Sequence, residues 1–184
     1  GYMTTVLFCS PRKNGCTAEV LSRFIKNRDD INLIDIYALS PAPCTACEKC
    51  RTDYKCVNSD MDSVLNDIEN SEFFIVATPV YTYSGPAPMK AFLDRLQPLY
   101  ERGSTKINEQ KRAFLIVTCA QSGKYSFDII RKQMSLAFKE LGFSFSGELN
   151  VPFTDKNGAG ENDLQKAEAL SFNFFGGEKI CSDI

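Results

Sequence analysis

The sequence predicts an α/β domain: an open, doubly wound sheet of five parallel strands with helices on both faces. Short apolar, β-rich runs alternate with helical stripes along almost the whole chain, two of those runs are apolar throughout, and no repeat or low-complexity tract interrupts the pattern. Such alternation implies parallel strands joined by right-handed crossovers, whose helices cover both faces of the sheet. At 184 residues the chain is expected to form one domain over 1–184 with a substantial core.

In chain order, TTVLFC at 4–9 reads as the first strand and a less regular stripe over 17–26 as the first helix. INLIDI at 31–36 is the second strand. The segment 41–58 shows neither period, and structureless loops of that length are usually functional. Met61, Val64, Leu65 and Ile68 recur at i, i+3, i+4 and i+7, which predicts a helix, and Ser59 with Asp62 reads as a capping-box-like start. FFIVAT at 73–78 is the third strand, and Met89, Phe92, Leu93 and Leu96 repeat the helical period behind it. RAFLIVT at 112–118 is the fourth strand. Ile130, Met134, Ala137, Phe138 and Leu141 predict a helix stopped by Gly142. FSFSGELNV at 143–151 is the fifth strand, and a helix over 162–175 ends at Gly176 and Gly177. FFIVA and FLIV are apolar throughout, as strands buried on both faces must be.

Composition removes several function classes. There is no His, so a Ser-His-Asp hydrolase, a Cys-His protease and a His-based metalloenzyme are excluded. The 21 Lys and Arg against 23 Asp and Glu leave a formal charge of -2 without a basic block, and nucleic acid is not an expected partner. No apolar run approaches the roughly 18 residues of a membrane span, so no membrane association is expected. The N-terminal apolar stretch is short and lacks a basic lead, so it does not read as a signal peptide, and a cytoplasmic, reducing setting is expected. The eight cysteines are too few for a disulfide scaffold, yet half of them fall in one short stretch.

Ligands of open α/β sheets bind outside the carboxyl ends of the strands, so the turns there carry the chemistry. The first strand runs into Ser10, Pro11, Arg12, Lys13, Asn14, Gly15, Cys16 and Thr17 just before a helix. A helix N-terminus, the Ser10 and Thr17 hydroxyls and the Arg12 fork suit a phosphomonoester. The glycine spacing of a dinucleotide fingerprint and the G-K-[ST] ending of a P-loop are both missing, which disfavours a resident NAD or ATP. An ordinary polar turn is the other reading of this segment.

SPRKNGCT after the first strand, ATPVY after the third and MKAFLDR in the following helix resemble the NADPH-dependent FMN reductase and iron-sulfur flavoprotein families over residues 6–100. The resemblance implies a flavodoxin-like fold and bound FMN. Cys9 stands where relatives usually carry Gly, and Cys16 where they usually carry Asn, which removes one expected phosphate donor. Carried onto this chain, the phosphate site comprises Ser10, Arg12, Cys16 and Thr17, and the loop beside the flavin ring Pro79, Val80, Tyr81 and Thr82. The turn holding Cys119 and Gly123 is similar in place to a loop near the pyrimidine edge in relatives; a plain strand-to-helix turn is the alternative there. Lys90, Asp94 and Arg95 form the family's K-x-x-x-D-R signature, and the one-turn spacing of Lys90 and Asp94 points to a structural pair.

Cys44, Cys47, Cys50 and Cys56 have the spacing C-x2-C-x2-C-x5-C, which resembles the cysteine runs that hold [4Fe-4S] clusters and matches the compact motif of iron-sulfur flavoproteins. Zinc and metal-free thiols are the alternatives. Cys9, Cys16, Cys119 and Cys181 are scattered, Cys9 as a core residue and Cys181 in the tail.

These readings converge on an FMN-dependent oxidoreductase that accepts hydride from NADH or NADPH and passes electrons to a small-molecule or protein acceptor, with the cysteine loop as a [4Fe-4S] relay. No catalytic side chain is assigned, because the flavin carries the chemistry. Two alternatives stand beside it: an electron-transfer flavoprotein reduced by a ferredoxin-like carrier, and an interaction module whose cysteines bind zinc or nothing. By analogy with relatives, a homodimer or homotetramer is expected.

Overall fold

The computed structural model describes residues 4–103 and 106–176. Five parallel strands, β1 (Thr4–Phe8), β2 (Ile31–Asp35), β3 (Phe73–Pro79), β4 (Asn108–Thr118) and β5 (Phe143–Val151), form one sheet in the order β2-β1-β3-β4-β5. This is the flavodoxin-like order. The chain leaves β1 toward β2 on one side and returns to β3 on the other, so the topological switch point lies between β1 and β3.

Alternation along the central strands builds two cores. Leu7, Phe74, Val76, Ala113, Leu115 and Val117 face one helical layer, where α4 (Asp62–Glu69), α5 (Ala87–Asp94) and α7 (Lys124–Glu140) supply Ile68, Phe92 and Phe138. Val6, Phe8, Ile75, Ala77, Phe114 and Ile116 face the other, covered by α1 (Cys16–Phe24) and α9 (Glu161–Phe174). The unbroken apolar runs of β3 and β4 therefore mean burial on both faces. Gly142 adopts a left-handed φ of 83° past the end of α7, where a side chain would be strained.

The structure corrects several sequence expectations. The stripe from Met89 to Leu96 outruns its helix: α5 ends at Asp94, and α6 (Gln97–Glu101) starts anew with Leu96 as its N-cap and Pro98 in its first turn, where a missing N–H costs nothing. α4 has Met61 at its N-cap and no side-chain cap; Ser59 contributes only its carbonyl, to Asp62 N–H. β4 begins at Asn108, four residues before the predicted strand RAFLIVT, because its polar first residues project beyond the core and a bulge against β5 absorbs the register shift. The cysteine segment is not wholly structureless, since α3 (Cys50–Asp53) forms one turn within it. The short helices α2 (Ile36–Leu39) and α8 (Thr154–Asn157) are below the length at which a period can be read. Cys181 and Gly177 lie outside the described residues.

Candidate functional site

The loops after β1, β3 and β4 emerge side by side, because those strands are neighbours in the sheet. In the first, the Ser10 hydroxyl accepts from Arg12 N–H at 3.2 Å and Gly15 N–H reaches Arg12 O at 3.3 Å. The loop is folded on itself, and the first amides of α1 are left without helical acceptors, as at any helix start. Arg12 is exposed, and among the described residues its guanidinium has no hydrogen-bond or ion-pair partner. That is a donor set fit for a phosphate.

Lys13, which the sequence reading passed over, ties this loop to β2. Its ammonium pairs with Asp35 at 2.5 Å, donates to Ser10 O at 3.3 Å and lies 5.2 Å from the centre of the Phe8 ring. Burial pushes the Asp35 carboxyl up, but the hydrogen bonds from Lys13 and from Tyr37 N–H outweigh it and hold Asp35 below its ordinary value. Thr17 has a different place from the one expected. It is buried, with its hydroxyl 2.7 Å from that of Thr118 on β4, so it fastens α1 to the sheet. Cys16 is half-buried, and burial, with Glu19 and Asp163 nearby, pushes its thiol up to about 11. It stays neutral at physiological pH.

The β3 loop is a two-residue turn. Tyr81 N–H donates to Ser84 O at 2.7 Å and Ser84 N–H returns to Tyr81 O at 3.0 Å, with Thr82 at φ 49° and Tyr83 at φ 64°. Left-handed backbone at two successive non-glycine residues, one of them β-branched, is strained. Strain of that kind marks functional turns, and this one holds Tyr81 and Tyr83 toward solvent. Val80 N–H donates to Thr118 O at 2.9 Å, fixing the loop against β4, and the Ser84 hydroxyl donates to Gln133 of α7 at 3.2 Å. Beyond β4, Cys119 is buried, and Gly123 caps α7 at φ 71°, where a Cβ would stand 2.3 Å from the Phe127 ring. Only glycine fits both conditions there.

Cys44, Cys47, Cys50 and Cys56 all line one cavity of about 330 Å³. Burial raises the Cys50 thiol, and Glu101 with the Cys44 and Cys47 thiols adds to the effect, against a backbone hydrogen bond. The loop backbone is strained at Ala46, Glu48 and Tyr54, all with positive φ. Arg102, just past α6, donates twice to Tyr54 O, at 3.2 and 3.0 Å. Arg95, at the junction of α5 and α6, is 2% exposed and donates to Ala42 O at 3.3 Å and to Asn58 O at 2.6 Å, with Asp60 as its ion-pair partner. Lys90 and Asp94 form the expected one-turn pair. The third member of that motif, Arg95, belongs instead to the cysteine loop, which only the break between α5 and α6 makes visible.

A model of the NADPH-dependent FMN reductase family matches residues 3–152. The chain belongs to that family. It is 32% identical over 166 residues to an iron-sulfur flavoprotein of Archaeoglobus fulgidus, covering 88% of this chain and 73% of that one. An iron-sulfur flavoprotein of Clostridioides difficile is 34% identical over 106 residues, 53% of this chain and 47% of its own length, so this second match spans about half of each protein. Among solved structures, an NAD(P)H:quinone oxidoreductase from Methanothermobacter marburgensis superposes with a TM-score of 0.67 at 17% identity, over 92% of this chain and 94% of that one. The last likeness concerns the fold alone. Within the FMN reductase family the matched span takes in all three loops and the cysteine segment.

Proposed function

We propose that this chain is an FMN-dependent NAD(P)H oxidoreductase whose cysteine loop holds a [4Fe-4S] cluster. The observation that carries the reading is the four thiols around one cavity of about 330 Å³, set in the same fold as an unpaired Arg12 and the amide-rich start of α1. FMN, when bound, supplies hydride acceptance and one-electron release. A cluster, when bound, supplies one-electron exchange.

The chain's own part is positional. Arg12 and the first amides of α1 hold a phosphate, and Lys13 keeps their loop in place through Asp35. Tyr81, presented by the strained turn, offers an aromatic face for a ring or a nicotinamide. With no imidazole in the chain, no side chain exchanges protons near neutral pH in the manner of a histidine base. Among the described residues no three Cys, Asp or Glu side chains meet at single-ion distance. Cys44 and Cys47 are exposed, which supports electron exchange with a protein carrier beside reduction of a quinone-like small molecule.

The test is anaerobic purification with flavin, iron, sulfide and zinc analysis, followed by reduction with NADH, NADPH or a reduced ferredoxin. One FMN with close to four irons and four sulfides per chain, reduced by a nicotinamide, is the expected result. Stoichiometric zinc overturns the cluster, and absence of flavin overturns the whole reading. Reduction by ferredoxin alone makes the protein an electron carrier.

A further inference from the structure

Arg95 is a charged side chain sealed inside the protein, and its partners are unusual. Its two carbonyl acceptors, Ala42 and Asn58, stand on either side of the four cysteines. Its counter-ion, Asp60, accepts Ala42 N–H at 2.9 Å through its other oxygen. Ala42 is thus gripped at both its N–H and its carbonyl, and the two ends of the loop meet at one guanidinium. The third nitrogen is different. Arg95 Nε is buried and has no acceptor among the described residues, although buried N–H groups are nearly always partnered. Arg95 lines the cysteine cavity and adjoins the Cys56 thiol.

We propose that Arg95 is the positioning residue of the cysteine site: it closes the neck of the loop and presents its spare Nε–H and its charge to the sulfur of Cys56. This deepens the cluster reading above and rests on it. A sulfur bound to iron is a strong acceptor, and Nε is the guanidinium nitrogen that has no acceptor among the described residues to give up. Hydrogen bonds and positive charge at cluster sulfurs favour the reduced state. Asp60, paired to the same guanidinium, opposes that field.

The two acting charges give the test its sign. In anaerobically reconstituted full chain, Arg95→Gln is expected to shift the cluster's reduction equilibrium toward the oxidised form by about tenfold, about 59 mV for a one-electron couple. Asp60→Asn is expected to shift it the other way. A guanidinium that only packs moves neither, or loosens the loop in both variants and moves them together; either result overturns the charge role. Arg95→Lys is expected to keep the potential nearer the parent's while hydrogen exchange quickens at Ala42 and across Arg51 to Tyr54. Unchanged exchange there in both Arg95 variants, measured without metal, overturns the neck. If Arg95→Gln alone does not fold, the Arg95→Gln, Asp60→Asn pair removes the orphaned acid and its exchange is read in the same way, while the potential is read from Asp60→Asn alone, whose failure to shift toward the reduced form overturns the charge role. A parent protein that takes up no iron overturns the cluster reading and the charge role with it, and the exchange measurement then decides the neck by itself.

Discussion

Arg12 and Thr17 were expected to share one task, and their surroundings divide them. Among the described residues Arg12 has no protein partner to lose, so Arg12→Ala is expected to leave stability within about 0.5 kcal/mol while weakening FMN about tenfold or more, the worth of a charged hydrogen bond. Flavin titration by fluorescence quenching checks it, and unchanged affinity removes Arg12 from the site. Thr17→Ala leaves the Thr118 hydroxyl buried without its partner and is expected to cost about 1–3 kcal/mol in denaturant unfolding. Lys13 and Asp35 add a pH effect. Asp35 is held below its ordinary value, so its contribution is present above the unfolded carboxylate pKa of about 3.9 and is lost as pH falls through the lowered folded value. Lys13→Met is therefore expected to flatten the acid side of the stability curve below about pH 4, by no more than about 1 kcal/mol for so exposed a pair. Urea unfolding at a series of pH values measures it.

Among the elements, the β3 turn and the α5–α6 break carry the proposed sites. Thr82 and Tyr83 occupy the positions where Asn and Gly are at home in a turn with positive φ at both central residues. Replacing the pair by Asn and Gly is expected to stabilise the protein by about 1–3 kcal/mol and, on the proposed function, to weaken flavin binding, since Thr82 is lost from the loop proposed to lie beside the ring. A rise in melting temperature with flavin affinity intact would mean that the strain serves something other than FMN. The break after Asp94 matters as much. A continuous helix through Leu96 would carry the following turn on along the α5 axis, whereas the restart at Gln97 leaves Arg95 inside beneath the cysteine loop and Arg102 against Tyr54.

At the scale of the whole molecule, the cysteine loop and the loops proposed to hold FMN are built on different supports. The former hangs from Arg95, Asp60 and α6, the latter from the carboxyl ends of β1, β3 and β4. Cys50→Ser is accordingly expected to remove the iron while FMN content stays close to the parent's, and to slow reduction of a one-electron acceptor far more than bleaching of the flavin by NAD(P)H. Stopped-flow traces on both proteins separate the two rates, and joint loss of flavin and iron would show the supports to be one. The core beneath is shared. Phe74 is fully buried, with Phe138 edge-on at 5.7 Å, so Phe74→Ala is expected to cost about 3–5 kcal/mol, read as a fall in the denaturation midpoint.

The sequence by itself determined the strands and the longer helices, because burial on one face or two imposes a period that survives without any knowledge of neighbours. It also displayed the four cysteines and the loop from Ser10 to Thr17, since each is contiguous and its chemistry lies in residue type and spacing. The tertiary structure alone decided what depends on partners distant along the chain. Thr17 meets Thr118, Lys13 meets Asp35, and Arg95 meets Ala42, Asn58 and Asp60. Arg95 shows the physical reason most plainly. In a motif read along one helix, an arginine beside Lys90 and Asp94 is a solvated surface charge. The same residue becomes the buried clamp of the cysteine loop because the helix stops one residue earlier and the next starts at Gln97, and because a guanidinium removed from water must take every acceptor within its reach.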